Sequence, residues 1–170
     1  DVGRRFPIDD STFDFIYSEH MFEHLSVVQQ LTMLQESFRI LKKGGVLRIA
    51  TPSIDFLHNI YRDNLNPVNK LYVKWAVNSS PYLIDVKEGI QDDSVHYCYV
   101  INNFFKAWGH QMIHNFESLE KLSFQVGFSE VRKEKVGESQ ITEFENIERH
   151  GEVIPAEFNK LETMVVEIVK

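Results

Sequence analysis

Between Val27 and Leu41 the apolar residues Val27, Val28, Leu31, Leu34, Phe38 and Leu41 recur at intervals of three and four. That spacing predicts one face of a helix. Ser26 stands where a capping side chain is expected. Lys42 and Lys43 in the last turn complement the helix dipole, and Gly44-Gly45 can adopt the left-handed backbone that stops it. The short apolar run Phe13–Tyr17 precedes this helix and Val46–Ala50 follows it, ending at Thr51-Pro52. Both read as strands. Strand, helix and strand in this order predict a right-handed parallel crossover, the unit of an open α/β sheet. Ligands of such sheets sit at the carboxyl ends of the strands. Ser18, Glu19 and His20 after one strand, and Thr51, Pro52 and Ser53 after the other, are therefore placed at a ligand crevice.

The remaining pattern extends this unit. Residues 1–12 read as an entry loop, with Phe6-Pro7-Ile8 extended and a turn at Asp9-Asp10-Ser11. A helix is expected over Ser53–Asp63, broken by Asn64–Pro67, and another over Val68–Val77. Tyr97–Trp108 is aromatic-rich and helical, ending at Gly109, and its rings are assigned to core. Phe116–Val126 reads as a helix ended by Gly127, and Phe128–Val136 as a strand. Residues 137–161 form an acidic connector in which Glu148-Arg149-His150 is solvated. Thr163–Val169 is a final strand, antiparallel in the sheet. The chain is expected to be one domain, with 1–64 and 111–170 as the sheet core. Residues 65–110 form a helical insertion over the crevice; the alternative is a flank packed away from it.

Length and composition narrow the classes. The 170 residues suit one domain, and 43% hydrophobic with 25% charged residues is ordinary for a globular chain. No apolar run approaches the roughly 18 residues of a membrane helix, so no membrane partner is expected. The opening Asp-Val-Gly-Arg-Arg lacks the apolar core of a signal peptide. Cys98 is the only cysteine, which excludes an internal disulfide and favours a cytoplasmic location. A net charge of −7 argues against a nucleic-acid partner.

Several motifs, taken in order, carry a resemblance. Phe6-Pro7-Ile8, Ser11-x-Phe13-Asp14-x-Ile16-Tyr17-Ser18, Glu23-His24-Leu25 and Leu41-Lys-x-Gly44-Gly45-Val-Leu resemble the second half of class I S-adenosylmethionine-dependent methyltransferases, in particular the Methyltransferase-11-like group. Trp108-Gly109-His110, Gly127-Phe128, Gly137-Glu138-Ser139 and Val166-Glu167 are similar to a bacterial subgroup of these enzymes. The resemblance implies a Rossmann-like, three-layer α/β fold and S-adenosylmethionine as cofactor. It implies cofactor contacts from Asp1 and Val2, from Phe6 against the adenine, and from Ser18, Glu19 and His20 near the methionyl and sulfonium end. Lys43 replaces the family's usual proline. The glycine-rich first turn and the acid ending the second strand have no counterpart here, so the fold is expected to be truncated at its N-terminal side.

Candidate chemistry then centres on two histidines. His20 directly follows a strand end, where a general base or substrate contact would sit. His110, beside Gly109, is the second candidate for a catalytic pocket residue, while His24 is assigned a structural role. Methyl transfer from a sulfonium requires alignment more than covalent help, so no fixed triad is expected. The expected function is transfer of a methyl group to a small-molecule or glycan-type acceptor. A second reading is a non-catalytic remnant or interaction module that self-associates as a homo-oligomer through an exposed sheet edge. A third is a zinc hydrolase, because His20, Glu23 and His24 match H-x-x-E-H; no metal is assigned to the chain on that match alone.

Overall fold

The computed structural model describes residues 2–170. Two compact units emerge: the chain up to Ser53 together with Gln111–Lys170, and Ile54–His110. The first holds a four-stranded sheet of β1 (Phe13–Glu19), β2 (Leu41–Pro52), β3 (Glu130–Glu134) and β4 (Thr163–Val169) in the order β1-β2-β4-β3. β1 and β2 are parallel, as the crossover pattern requires, and β4 is antiparallel to both its neighbours.

Helix α1 (Val27–Ile40) joins β1 to β2. Ser26 caps it in a reciprocal capping box with Gln29. The buried face differs from the expected one. Val27 and Val28 are exposed, whereas Gln30, Met33, Leu34, Ser37 and Ile40 are buried. The helix also ends earlier than the Gly-Gly signal suggests, because Leu41 is already extended and β2 begins there. Gly44, at φ +76°, instead loops out residues of β2 where the β1–β2 register slips between Phe13 and Phe15. Gly45 lies so close to the backbone that an added Cβ would meet the Asp14 and Lys42 carbonyl oxygens at 2.9 Å.

The two sheet faces are covered differently. Leu47, Ile49, Met164, Val166 and Ile168 form one core with Met33 and Leu34 of α1 and Leu119 of helix α6 (Phe116–Val126). Gly127, at φ +116°, ends α6 as its sequence predicts. On the opposite face Arg48 of β2 and Glu167 of β4 are register partners, both fully buried and 2.6 Å apart. Glu148 makes the second ion pair with Arg48, at 2.7 Å, and Ser139 donates to Glu167. Phe144 packs edge-on against Phe15 of β1 and lies under the Arg48 guanidinium. The connector expected to be solvated is therefore clamped to the sheet. It also contains helix α7 (Ala156–Glu162) behind Pro155, which the acidic composition concealed.

The Ile54–His110 unit is helical: α2 (Ile54–Arg62), α3 (Pro67–Ser79), α4 (Ile84–Gly89) and α5 (His96–Lys106). Pro67 opens α3 at a position where its missing N–H costs nothing, and Asn66 caps it. Phe56, Tyr72 and Phe104 make edge contacts in its core. Of the aromatic cluster assigned to core, Phe104 is buried but Tyr99 and Phe105 are exposed, because α5 turns only one face inward, and Trp108, beyond the end of α5, is exposed as well.

Candidate functional site

The carboxyl ends of β1 and β2 are adjacent in register, with Ser18 opposite Ile49 and Glu19 opposite Ala50. Because β4 runs antiparallel, its first residue, Thr163, pairs with Pro52 at the same end of the sheet. Three strand termini thus deliver polar side chains to one place.

His20 leaves β1 with a left-handed backbone, φ +43°, anchored by its N–H to the Ala50 carbonyl. Non-glycine residues visit that region rarely, and at some energetic cost. Its ring Nε2 lies 3.2 Å from Thr163 Oγ1 and its Nδ1 3.4 Å from Glu23 Oε1. The Thr163 hydroxyl donates to Asn159 Oδ1, so it accepts from His20. Both ring nitrogens therefore face acceptors, and a role as base requires one contact to open. Residues 22–24 form a single 3-10 turn, so His20 and His24 do not share the α-helical face that H-x-x-E-H needs.

Glu23 is fully buried and accepts from the Thr51 hydroxyl at 3.0 Å. Burial pushes its carboxyl up, but His20 and Thr51 outweigh that and hold it below the ordinary glutamate value. The Glu23 carbonyl accepts from the Gln111 and Met112 N–H groups, which pins the chain entering α6. There His114 Nε2 lies 3.0 Å from Gln30 Oε1 and Nδ1 2.8 Å from Ser118 Oγ. Burial pushes the His114 pKa down.

Glu19 points to the connector. Its carboxylate accepts from the backbone N–H of Arg149 and of His150, at 2.8 to 3.0 Å. Burial raises its pKa, yet these two donors and His20 overcome that effect and leave it lowered. The His150 ring then stacks on His20 with centroids 3.7 Å apart, and its Nε2 sits 3.4 Å from Glu162 Oε1. His150, Asn159, Glu162 and Thr163 are site residues that the local sequence pattern does not reveal.

Asp1 lies outside the described residues. Val2 and Phe6 pack partly buried against the α1/α6 core, and Arg39 holds the Phe6 and Ile8 carbonyls while Glu36 accepts the Phe6 N–H. Ser18 is buried at the end of β1, and among the described residues its hydroxyl has no hydrogen-bond partner. His110 belongs to the other unit, where its Nδ1 lies 2.7 Å from the Phe104 carbonyl and its ring is 5.6 Å from that of Trp108.

A buried hydroxyl without a partner is costly unless a ligand completes it. Glu19 is engaged with the connector and does not present a free carboxylate.

Residues 2–49 match a family model described as a methyltransferase domain. No curated protein matches the chain. Among solved structures it is similar to an S-adenosylmethionine-dependent methyltransferase from Mesorhizobium loti, at 11% identity and TM-score 0.50, covering 100% of this chain and 67% of that one. It is also similar to a chain from the complex of the Haloferax volcanii Trm112 methyltransferase activator with a candidate methyltransferase, at 14% identity and TM-score 0.51, covering 99% and 58%. An Archaeoglobus fulgidus S-adenosylmethionine-dependent methyltransferase aligns at 14% identity and TM-score 0.49, covering 96% and 62%. The chain thus spans 58% to 67% of the length of these structures. No helix among the described residues is long and apolar enough to cross a membrane. The chain carries a Rossmann-like α/β fold like that of S-adenosylmethionine-dependent methyltransferases, and its residues 2–49 match a methyltransferase-domain model.

Proposed function

We propose that this chain forms part of an S-adenosylmethionine-dependent methyltransferase whose acceptor is a small molecule or glycan bearing a methylatable heteroatom. The observation that carries this reading is the partnerless, buried Ser18 hydroxyl at a strand tip adjoining His20, Glu23 and Thr51, in a chain with this fold. The bound cofactor supplies an electrophilic sulfonium methyl. Ser18 hydrogen-bonds its methionyl portion, Phe6 and Val2 wall its adenine side, and His20 with Glu23 sets the local charge. Thr163 and Asn159 fix the His20 ring so that its orientation needs no reorganisation when a ligand arrives. Calorimetric titration of S-adenosylmethionine should give saturable binding that weakens about tenfold in Ser18→Ala, the loss expected for one buried hydrogen bond. No heat at millimolar cofactor would sink the proposal.

One feature favours a second reading, a non-catalytic interaction module. β1 terminates the sheet among the described residues, with Phe13 and Phe15 exposed beside it. Such an edge pairs readily with another strand. A monomer on a sizing column at high concentration would remove this alternative.

A further inference from the structure

A cavity of about 700 Å³ lies wholly within the Ile54–His110 unit, a size suited to a small organic ligand. Val73 and Val77, both buried, and Leu71, exposed, give it an apolar lining. Lys70 and Lys74 of α3 and Lys87 of α4 also line it. Of the five lysines and arginines in residues 54–110 three face this cavity, whereas of the six aspartates and glutamates only Asp93 does. The lining charge is therefore 3 − 1 = +2, in a chain whose net charge is −7.

Lys42, Lys121 and Lys135 each face a carboxylate. Among the described residues, Lys70, Lys74 and Lys87 form no ion pair. Lys70 and Lys74 stand four apart on one helix face, where like charges repel. Three exposed ammonium groups around an apolar floor form a setting suited to an anion that carries its own apolar body.

We propose that this cavity binds a phosphomonoester with an aliphatic or aromatic body. A phosphomonoester is close to dianionic at neutral pH, which matches the lining charge. The site stands independently of the methyl-transfer reading.

Isotope-labelled chain titrated with octyl phosphate and followed by backbone amide NMR tests this. Saturable shifts confined to residues 64–97 are expected. Octanol, octanoate and inorganic phosphate should each bind at least about tenfold more weakly, because each lacks either the second charge or the body. The Lys70→Ala/Lys74→Ala/Lys87→Ala variant should lose about tenfold or more in affinity, Lys74→Glu should do so alone, and Lys121→Ala should change nothing. Absence of saturation, shifts scattered outside 64–97, equal affinity for octanol or octanoate, or indifference to the lysine variants would overturn the proposal. Binding to phosphatidic acid vesicles without binding of monomeric octyl phosphate would also overturn it, pointing to a membrane surface instead.

Discussion

Arg48 and Glu167 face each other across the antiparallel β2–β4 pair, 2.6 Å apart and both fully buried. Together with Glu148 they form a triad of one cation and two carboxylates on the sheet face opposite the α1/α6 core. Removing one member of a buried ion pair leaves an uncompensated charge, at about 3–5 kcal/mol. Arg48→Ala should therefore lower the stability from denaturant melts by about that amount. Glu167→Gln, which keeps the shape and one acceptor, should lose less. Equal melts for Arg48→Ala and the parent would show that the triad contributes nothing.

Besides the Arg48–Glu148 ion pair, the connector 145–155 is fastened through Glu19, which takes backbone N–H groups from Arg149 and His150. Charged hydrogen bonds of this kind contribute about 1.5–3 kcal/mol, fewer for a partly solvated group. The folded pKa of Glu19 lies below its unfolded value. Its contribution is therefore present above the ordinary glutamate pKa and is lost as the pH falls through the folded value. Hydrogen exchange should show residues 145–155 losing protection first on acidification. Glu19→Gln should lose the same protection at neutral pH, and an unchanged exchange pattern in that variant would contradict the assignment.

His114 sets a second pH dependence of the same sign. Its unfolded value is near 6.5 and burial depresses the folded one. The unfolded chain takes up the proton first, so stability is complete above about 6.5 and declines as the pH falls toward the folded value. Thermal midpoints across that window should fall in the parent and stay flatter in His114→Gln. A parallel decline in both proteins would assign the effect elsewhere.

The glycine pair offers a backbone test. Gly44 has a left-handed φ and open space around it, so Gly44→Ala should cost only the left-handed penalty, about 1–2 kcal/mol. Gly45→Ala would drive a Cβ into two backbone carbonyls at 2.9 Å and should cost more. Chemical denaturation of both variants measures the order, and the reverse order would mean that β2 relaxes around Gly45.

The strands, α1, α6 and the antiparallel last strand were legible because each carries its own local signal: a period, the Ser26 cap, the Gly127 stop. The end of α1 was not, because Lys42-Lys43-Gly44-Gly45 suits a helix terminus as well as the looped-out start of β2. Ser18, Glu19, His20 and Thr51 could be placed at the strand tips from topology alone. His150 and Thr163, which meet Glu19 and His20, and Asn159 and Glu162 behind them lie more than a hundred residues away, and no local pattern announces such a contact. One long-range signal was present. Arg48 within Val-Leu-Arg-Ile-Ala and Glu167 within Val-Val-Glu-Ile-Val are opposite charges in the middle of two apolar strands, and their burial cost demands that they meet.

In the proposed function the tips of β1 and β2 hold a nucleoside-bearing cofactor. Amide NMR of the chain titrated with S-adenosylmethionine tests it most directly. Saturable shifts at Ser18, Glu19, His20 and Thr51, reduced in Ser18→Ala, are predicted; spectra in which those four amides stay still at millimolar cofactor would contradict it.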